Sequence, residues 1–105
     1  MIMVNLNAKP NVELNLKTNI EVSKILYLKS HINYTEFMLL NQESLIFSYT
    51  LQRYEHILQS HNFKRVHRSY LVNMAHVVLT ERNKLVLTEG IVIPMSRRKR
   101  IPTKN

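Results

Sequence analysis

The feature that most constrains the fold is a series of short apolar or alternating runs separated by polar turns. Val12, Leu14 and Leu16 alternate with polar residues, which is the period of a half-buried strand. Residues 25–28 form a continuous apolar run that predicts a strand buried on both faces. Further runs with β-branched or aromatic residues lie at 34–40, 45–47, 77–80, 84–88 and 91–93. This pattern predicts a mainly β domain with seven or more short strands.

One helix is predicted, over residues 51–59. Leu51, Tyr54 and Leu58 recur at helical spacing and predict a face that packs on the core. The hydroxyl of Thr50 is placed to cap the first turn. The polar face, which carries Arg53 and His56, is expected to be solvated.

Two further helical turns are predicted, one over residues 69–73 and one that begins at Ser96. Pro94 is expected to end the strand before the second turn, because it cannot donate to a sheet ladder. That turn would direct the basic residues after Ser96 away from the sheet.

The charge is distributed unevenly along the chain. Residues 1–62 carry five Lys or Arg against five Glu, whereas residues 63–105 carry ten against two. The formal net charge of +8 therefore belongs to the C-terminal part. Two basic segments stand out, FKRVHRSYLVN at 63–73 and PMSRRKR at 94–100. Two such clusters separated by apolar strands favour a surface that binds polyanions, and a solvated face is the alternative.

The composition removes most catalytic and metal chemistry. Cys and Asp are absent, which excludes a disulfide framework, a thiolate metal site and a Ser-His-Asp triad. A single glycine, Gly90, excludes a Gly-rich phosphate loop. The five His lack metal-ligand spacing and the Glu are scattered, so neither a cofactor nor an enzyme is expected. No membrane span or secretory signal is evident, and a single cytoplasmic domain over 1–105 is expected.

Three segments in order resemble the LytTR family of bacterial DNA-binding domains. They are ILYLKSHINYTEFML at 25–39, VHRSYLVN at 66–73 and PMSR at 94–97, and the resemblance covers about residues 12–100. It implies an elongated stack of small antiparallel sheets that reads DNA through loops rather than through a recognition helix. It also implies a transcriptional regulator, in a family where a receiver domain often accompanies the DNA-binding domain.

The predicted base contacts are Arg68, Arg97, Asn33 and Thr35. An arginine can donate two hydrogen bonds to guanine N7 and O6 in the major groove, and in the family the position of Arg97 reads bases. For Arg68 the alternative is an ion pair with a nearby Glu. The loop departs from the family at Ile32, which replaces a Gly before Asn33, so which loop residue reaches the groove stays open.

Predicted contacts to the DNA backbone come from basic, hydroxyl or imidazole side chains near these positions. They are His31, Tyr34, Lys64, Arg65, Ser69, Ser96, Arg98, Lys99 and Arg100. For Ser69, a phosphate contact and a capping role both remain open. His67 is expected to be structural, and Asn73 is expected to close a turn with its side chain.

The partner that follows is double-stranded DNA. The resemblance implies paired direct repeats and a weak or DNA-induced homodimer. Either the chain is a standalone regulator, controlled by its expression or by a membrane or protein partner, or it is an excised domain.

The alternative is a basic β domain that binds RNA, single strands, an acidic protein or a lipid surface. Its stacking residues would be Tyr27, Tyr34 and Tyr70, and exposed, coplanar Tyr27 and Tyr70 would favour it. We expect instead that Tyr27 lies in a buried strand and Tyr70 in the core behind Ser69.

Overall fold

The computed structural model describes residues 11–15 and 18–97, with side chains from residue 20 onward. Within these residues the chain forms ten strands and one α-helix, α1, at Leu51–Leu58. The strands are β1 Asn11–Asn15, β2 Thr18–Glu21, β3 Ile25–Ser30, β4 Thr35–Leu39, β5 Ser44–Phe47, β6 Phe63–His67, β7 Tyr70–Asn73, β8 Val77–Thr80, β9 Lys84–Leu87 and β10 Val92–Pro94. The molecule extends over 45 × 34 × 24 Å. The predicted mainly β, elongated architecture is confirmed.

Three antiparallel sheets make up the described part of the chain. β1 pairs with β2, the central sheet has the order β5-β4-β3-β7-β6, and the third sheet has the order β10-β9-β8. Both neighbours of β3 are hydrogen-bonded to it, which places this strand in the middle of the central sheet.

Helix α1 covers one face of the central sheet. Leu51, Tyr54 and Leu58 are buried there, as their spacing predicts, and Tyr54 packs edge-on against Phe37 with ring centroids 4.9 Å apart. The Thr50 hydroxyl accepts the Arg53 N–H at 3.3 Å, which confirms the predicted cap. The helix ends one residue earlier than predicted, because Gln59 begins a 3-10 turn.

The other face of the central sheet packs on the three-stranded sheet. Leu26, Val66 and Val72 are fully buried there against residues of the smaller sheet and the segment that follows it, namely Leu85, Leu87, Ile93 and Met95. Leu28 faces α1 from the same strand as Leu26, so β3 is buried on both sides. This confirms the prediction from the apolar run at 25–28 and places the core in two layers.

The helical turn predicted over residues 69–73 is wrong. Tyr70–Asn73 is strand β7, paired with β3 on one side and with β6 on the other. Leu71 and Val72 point to opposite faces, and each side chain is fully buried in a different apolar cluster. A segment of four residues is too short to show a strand or helix period in the sequence. Burial of its side chains on both faces of the sheet is what favours a strand.

Asn73 fixes one end of this central strand. Its side-chain amide donates to the carbonyls of Val22 and Ile25 at 3.3 and 2.9 Å, and its Oδ1 accepts from the Ala75 N–H at 3.1 Å. Asn73 is 1% exposed, so these bonds lie in the protein interior. The predicted turn-closing role is confirmed, and the same side chain also links β7 to Val22 and to the first residue of β3.

Candidate nucleic-acid interface

Each of the five strands of the central sheet has one terminus at the same end of the sheet. β3 ends there at Ser30, β4 begins at Thr35, β5 ends at Phe47, β6 ends at His67 and β7 begins at Tyr70. We call this end of the sheet, together with the loops that connect its strands, the loop end. Five strands at a spacing of about 4.8 Å give it a width of roughly 19 Å.

The β6–β7 turn presents Arg68 at the loop end. Arg68 and Ser69 connect the paired residues His67 and Tyr70, and neither central residue has a positive φ. Two-residue hairpin turns usually use positive φ, so this turn requires other support. His67 supplies part of it, since its Nδ1 accepts the Ser69 N–H at 3.0 Å. His67 is therefore structural, as predicted, with the Ser69 backbone amide as its partner.

Arg65 provides the rest of the support. Its guanidinium donates to the His67 carbonyl at 3.0 Å and to the Arg68 carbonyl, and it forms an ion pair with Glu55 at 3.0 Å. The Arg65 side chain is only 18% exposed. This placement argues against the predicted phosphate contact, because the donors already have partners within the protein.

Arg65 and Arg68 have opposite environments although they lie three residues apart. The Glu ion pair considered for Arg68 belongs to Arg65, and Arg68 is exposed with no ion pair among the residues described. A β-bulge at Val66 separates the two arginines and turns the buried Val66 side chain inward. Arg65 therefore positions the turn, while the Arg68 guanidinium remains available to a ligand.

The β3–β4 loop is closed by its own residues. The His31 N–H donates to the Tyr34 carbonyl at 2.8 Å, and the two rings stack with centroids 4.4 Å apart. His31 Nε2 lies 3.0 Å from Glu36 Oε1, so this imidazole already has a partner. Ile32 is 99% exposed and Asn33 is exposed, which leaves the tip of the loop open to solvent.

Thr35 is not at the surface of this loop. It is 1% exposed, and its hydroxyl donates to the Tyr49 carbonyl at 2.7 Å. A buried hydroxyl with a short hydrogen bond cannot reach a base edge without losing that bond. The structure therefore argues against the predicted base contact of Thr35 and makes it a link between β4 and the segment after β5.

The C-terminal segment is attached beside the β6–β7 turn. The Ser96 N–H donates to the Val66 carbonyl, and the Met95 N–H donates to the Asn83 carbonyl, both at 2.9 Å. Arg97 is exposed directly after these anchors. An open cavity here is lined by Arg82, Asn83, Met95 and Arg97. Arg98, Lys99 and Arg100 lie outside the described residues.

Two backbone hydrogen bonds join the three predicted contact segments. The Ser30 N–H donates to the Ser69 carbonyl at 2.9 Å and links the β3–β4 loop to the β6–β7 turn. The bond between Ser96 and Val66 links that turn to the C-terminal segment. The segments that carry Asn33, Arg68 and Arg97 are therefore joined in one surface.

Two further cations on this surface were missed by the sequence analysis. The Lys29 ammonium lies 5.9 Å from the centroid of the Tyr70 ring, one residue before the end of β3. Arg82 is exposed in the β8–β9 turn and lines the same cavity as Arg97. No motif marks either residue, because only strand pairing brings them close to Arg68 and Arg97.

The tyrosines expected to be buried are only half-buried. Tyr27 and Tyr70 contact each other with ring centroids 5.9 Å apart and ring planes tilted by 54°. Both pack against the apolar cluster that lies between the central sheet and the three-stranded sheet. Burial, aided by the nearby Tyr70 and Glu36, raises the pKa of the Tyr27 phenol, which keeps it neutral. Because the rings are neither fully exposed nor coplanar, they do not form a stacking platform for bases.

The described part of the chain holds neither a cluster of metal ligands nor a membrane-spanning helix. No group of three or more His, Cys, Asp or Glu side chains gathers there in a way that could hold a metal ion. The α-helix of that part is not long and apolar enough to cross a membrane.

The fold and this surface define a class, namely a small β domain that carries its cations on loops at one end of a sheet. The family model described as the LytTr DNA-binding domain matches residues 16–104. The chain therefore belongs to the LytTR family of DNA-binding domains.

A solved structure supports the fold. It is titled the LytTr DNA-binding domain of a methyl-accepting/DNA response regulator from Bacillus cereus, and it aligns with a TM-score of 0.69 at 24% identity. The alignment covers 86% of this chain and 87% of that one. A comparison with curated proteins gives no match.

Proposed function

We propose that the chain binds double-stranded DNA sequence-specifically as a transcriptional regulator and reads the major groove through loops. The observation that carries this proposal is the pair of backbone hydrogen bonds from Ser30 to Ser69 and from Ser96 to Val66. They hold the β3–β4 loop, the β6–β7 turn and the segment around Arg97 in one surface. Membership of the LytTR family supports DNA as the ligand, and we assign the DNA to that surface.

The spacing of two loops at the loop end fits one major groove. The β3–β4 loop and the β6–β7 turn are centred two strand spacings apart, which corresponds to about 10 Å. A B-DNA major groove is about 12 Å wide, so both loops can enter the same groove. Arg68 and Asn33 would then approach base edges from adjacent positions.

The proposed contact residues divide into two roles. Arg68, Arg97 and Asn33 contact bases in this proposal, because they carry the donors that read guanine or adenine. The remaining contacts are to phosphates and fix the register, and they come from Tyr34, Lys64, Ser69, Ser96, Arg98, Lys99 and Arg100. Arg65 and Thr35 support the surface from within, and the His31 imidazole lies against Glu36, so these three residues are not part of the contact set.

The family resemblance extends the proposal to the operator and to regulation. We expect paired direct repeats, with two copies brought together weakly or only on DNA. We further expect a cytoplasmic regulator whose activity follows its expression or a membrane or protein partner.

In-vitro selection from a random duplex library tests the proposal. The winning sequence would be titrated against scrambled duplex, single-stranded DNA and RNA at two salt concentrations. The expected result is an enriched motif, repeated in direct orientation, with a large ratio of specific to scrambled affinity. Binding that falls equally for every nucleic acid as salt rises, with no enriched motif, would contradict it.

A further inference from the structure

The β5–α1 connection reaches the same loop end from its other flank. β5 is the edge strand beside β4, and it ends at Phe47 opposite Thr35. The Thr35 hydroxyl donates to the Tyr49 carbonyl at 2.7 Å, which ties the connection to the base of the β3–β4 loop. Tyr49 and the first turn of α1 therefore border the proposed DNA surface.

A cation is held in a fixed position on this flank. The Arg53 guanidinium carbon lies 4.2 Å from the centroid of the Tyr49 ring. Arg53 is exposed and Tyr49 is 42% exposed, so the stacked pair faces solvent. Stacking on an aromatic face restricts the guanidinium while leaving its N–H edge free to donate to an anion.

The surroundings of Arg53 leave its charge uncompensated. Among the residues described it forms no ion pair, and the acid two positions away, Glu55, is paired with Arg65. The groove beside Arg53 has no acidic lining residue, being formed by Thr50, Gln52, Arg53, His56 and Ile57. These side chains offer further donors and no competing carboxylate.

We infer that the Arg53–Tyr49 pair is a binding site for a phosphate of the DNA backbone that flanks the contacted groove. The inference rests on the proposed function and adds a contact that neither the family match nor the sequence motifs assign. Arg53 lies on α1, which covers one face of the central sheet, and the Thr35 bond holds Tyr49 beside the start of β4. The pair is therefore offset from the β3–β4 loop and the β6–β7 turn that enter the groove, and Arg53 meets the backbone beside the groove rather than a base edge.

The experiment compares salt dependence between matched variants. Arg53→Ala removes the cation, Tyr49→Leu removes the stacking surface, and Lys24→Ala removes an exposed cation between β2 and β3, at the opposite end of the sheet. Dissociation constants are measured for the selected operator and for scrambled duplex over a series of salt concentrations. Thermal unfolding of each variant verifies that it is folded.

The expected result is specific to one lost phosphate contact. In Arg53→Ala the slope of log K against log salt becomes shallower by about 0.9, and both duplexes lose affinity by the same factor. Tyr49→Leu weakens binding to both duplexes by a smaller common factor, because the guanidinium is no longer held. Lys24→Ala leaves the slope at its wild-type value. Shortening the duplex by a few base pairs on the flank that Arg53 contacts abolishes the difference between Arg53→Ala and wild type.

Two outcomes would overturn the inference. A slope for Arg53→Ala equal to that of wild type would show that no phosphate is bound there. An unchanged slope with a lower ratio of operator to scrambled affinity would make Arg53 a base contact. If wild type itself shows no sequence preference, the proposed function fails, yet the slopes on random duplex still decide whether Arg53 binds phosphate.

Discussion

The two ends of the central sheet use their polar groups in opposite ways. At the end where β3 begins and β7 ends, which we call the anchor end, the Asn73 side chain is buried and all its hydrogen bonds are to the backbone. At the loop end, the backbone of Ser30, Ser69 and Ser96 makes the bonds that join the segments. Arg68, beside those bonds, keeps an exposed side chain.

The difference means that the anchor end contributes mainly to stability, whereas the loop end carries the side chains for binding. A buried polar side chain stabilises a protein only when all of its hydrogen bonds are made, so Asn73 stabilises only the native arrangement of the anchor end. At the loop end, backbone bonds join the segments and the His67 and Arg65 side chains hold the β6–β7 turn, which leaves the Arg68 side chain exposed for a ligand. Mutations at the two ends should therefore separate the free energy of unfolding from DNA affinity.

Asn73→Ala should have the largest effect and should act on stability alone. It removes two buried hydrogen bonds to the carbonyls of Val22 and Ile25 and a third from the Ala75 N–H, and we expect a loss of about 3 kcal/mol in the free energy of unfolding. Urea denaturation measures this loss. Asn83→Ala, at an exposed turn, is the matched control and should stay within about 0.5 kcal/mol of wild type. A folded Asn73→Ala protein with an altered DNA sequence preference would contradict the conclusion that the anchor end affects stability alone.

Arg97→Ala should act on binding alone. Loss of one bidentate base contact is expected to lower the discrimination between operator and random duplex by about 2 kcal/mol. The melting temperature should be unchanged, because Arg97 is exposed. Competition titration with scrambled duplex measures the discrimination. A change confined to the salt slope would instead identify Arg97 as a phosphate contact.

Arg65→Met should affect both properties, because Arg65 supports the β6–β7 turn from within. We expect a loss of about 1.5 kcal/mol in the free energy of unfolding, since two carbonyls and Glu55 lose their partner. Operator affinity should also fall, because the Arg68 turn is less constrained. Glu55→Gln, which keeps the carbonyl bonds, should show a smaller change in both.

The salt dependence of Arg65→Met separates this role from the one predicted from sequence. A supporting residue that does not contact phosphate leaves the slope of log K against log salt unchanged. A slope shallower by about 0.9 would mean that Arg65 contacts DNA directly.

Thr35→Val should have the smallest effect. The substitution keeps the volume but removes the hydroxyl that donates to the Tyr49 carbonyl, at a cost of about 1 kcal/mol in the free energy of unfolding. The ratio of operator to scrambled affinity should be unchanged, because Thr35 is buried. Thermal unfolding and the same competition titration measure the two quantities. Relaxed preference at a single base pair would restore Thr35 to the set of base contacts.

Local patterns in the sequence were sufficient wherever one element determines its own environment. The apolar run at 25–28 predicted a strand buried on both faces, and the spacing of Leu51, Tyr54 and Leu58 predicted the packed face of α1. The motifs identified the family, and with it the ligand class. Residues 70–73 were assigned wrongly, because four residues show no reliable period and their burial depends on two neighbouring strands.

The amino-acid sequence by itself determined the β architecture, the family and the clustering of positive charge in the C-terminal part. Only the tertiary structure decided which basic side chains are free. Arg65 and Arg68 have the same chemistry in the same basic segment, yet Arg65 is bonded to Glu55 and to the carbonyls of the turn whereas Arg68 is exposed. Arg53, predicted to be simply solvated, borders the loop end through Thr35 and Tyr49. Such placements depend on pairings between distant segments, which no local pattern contains.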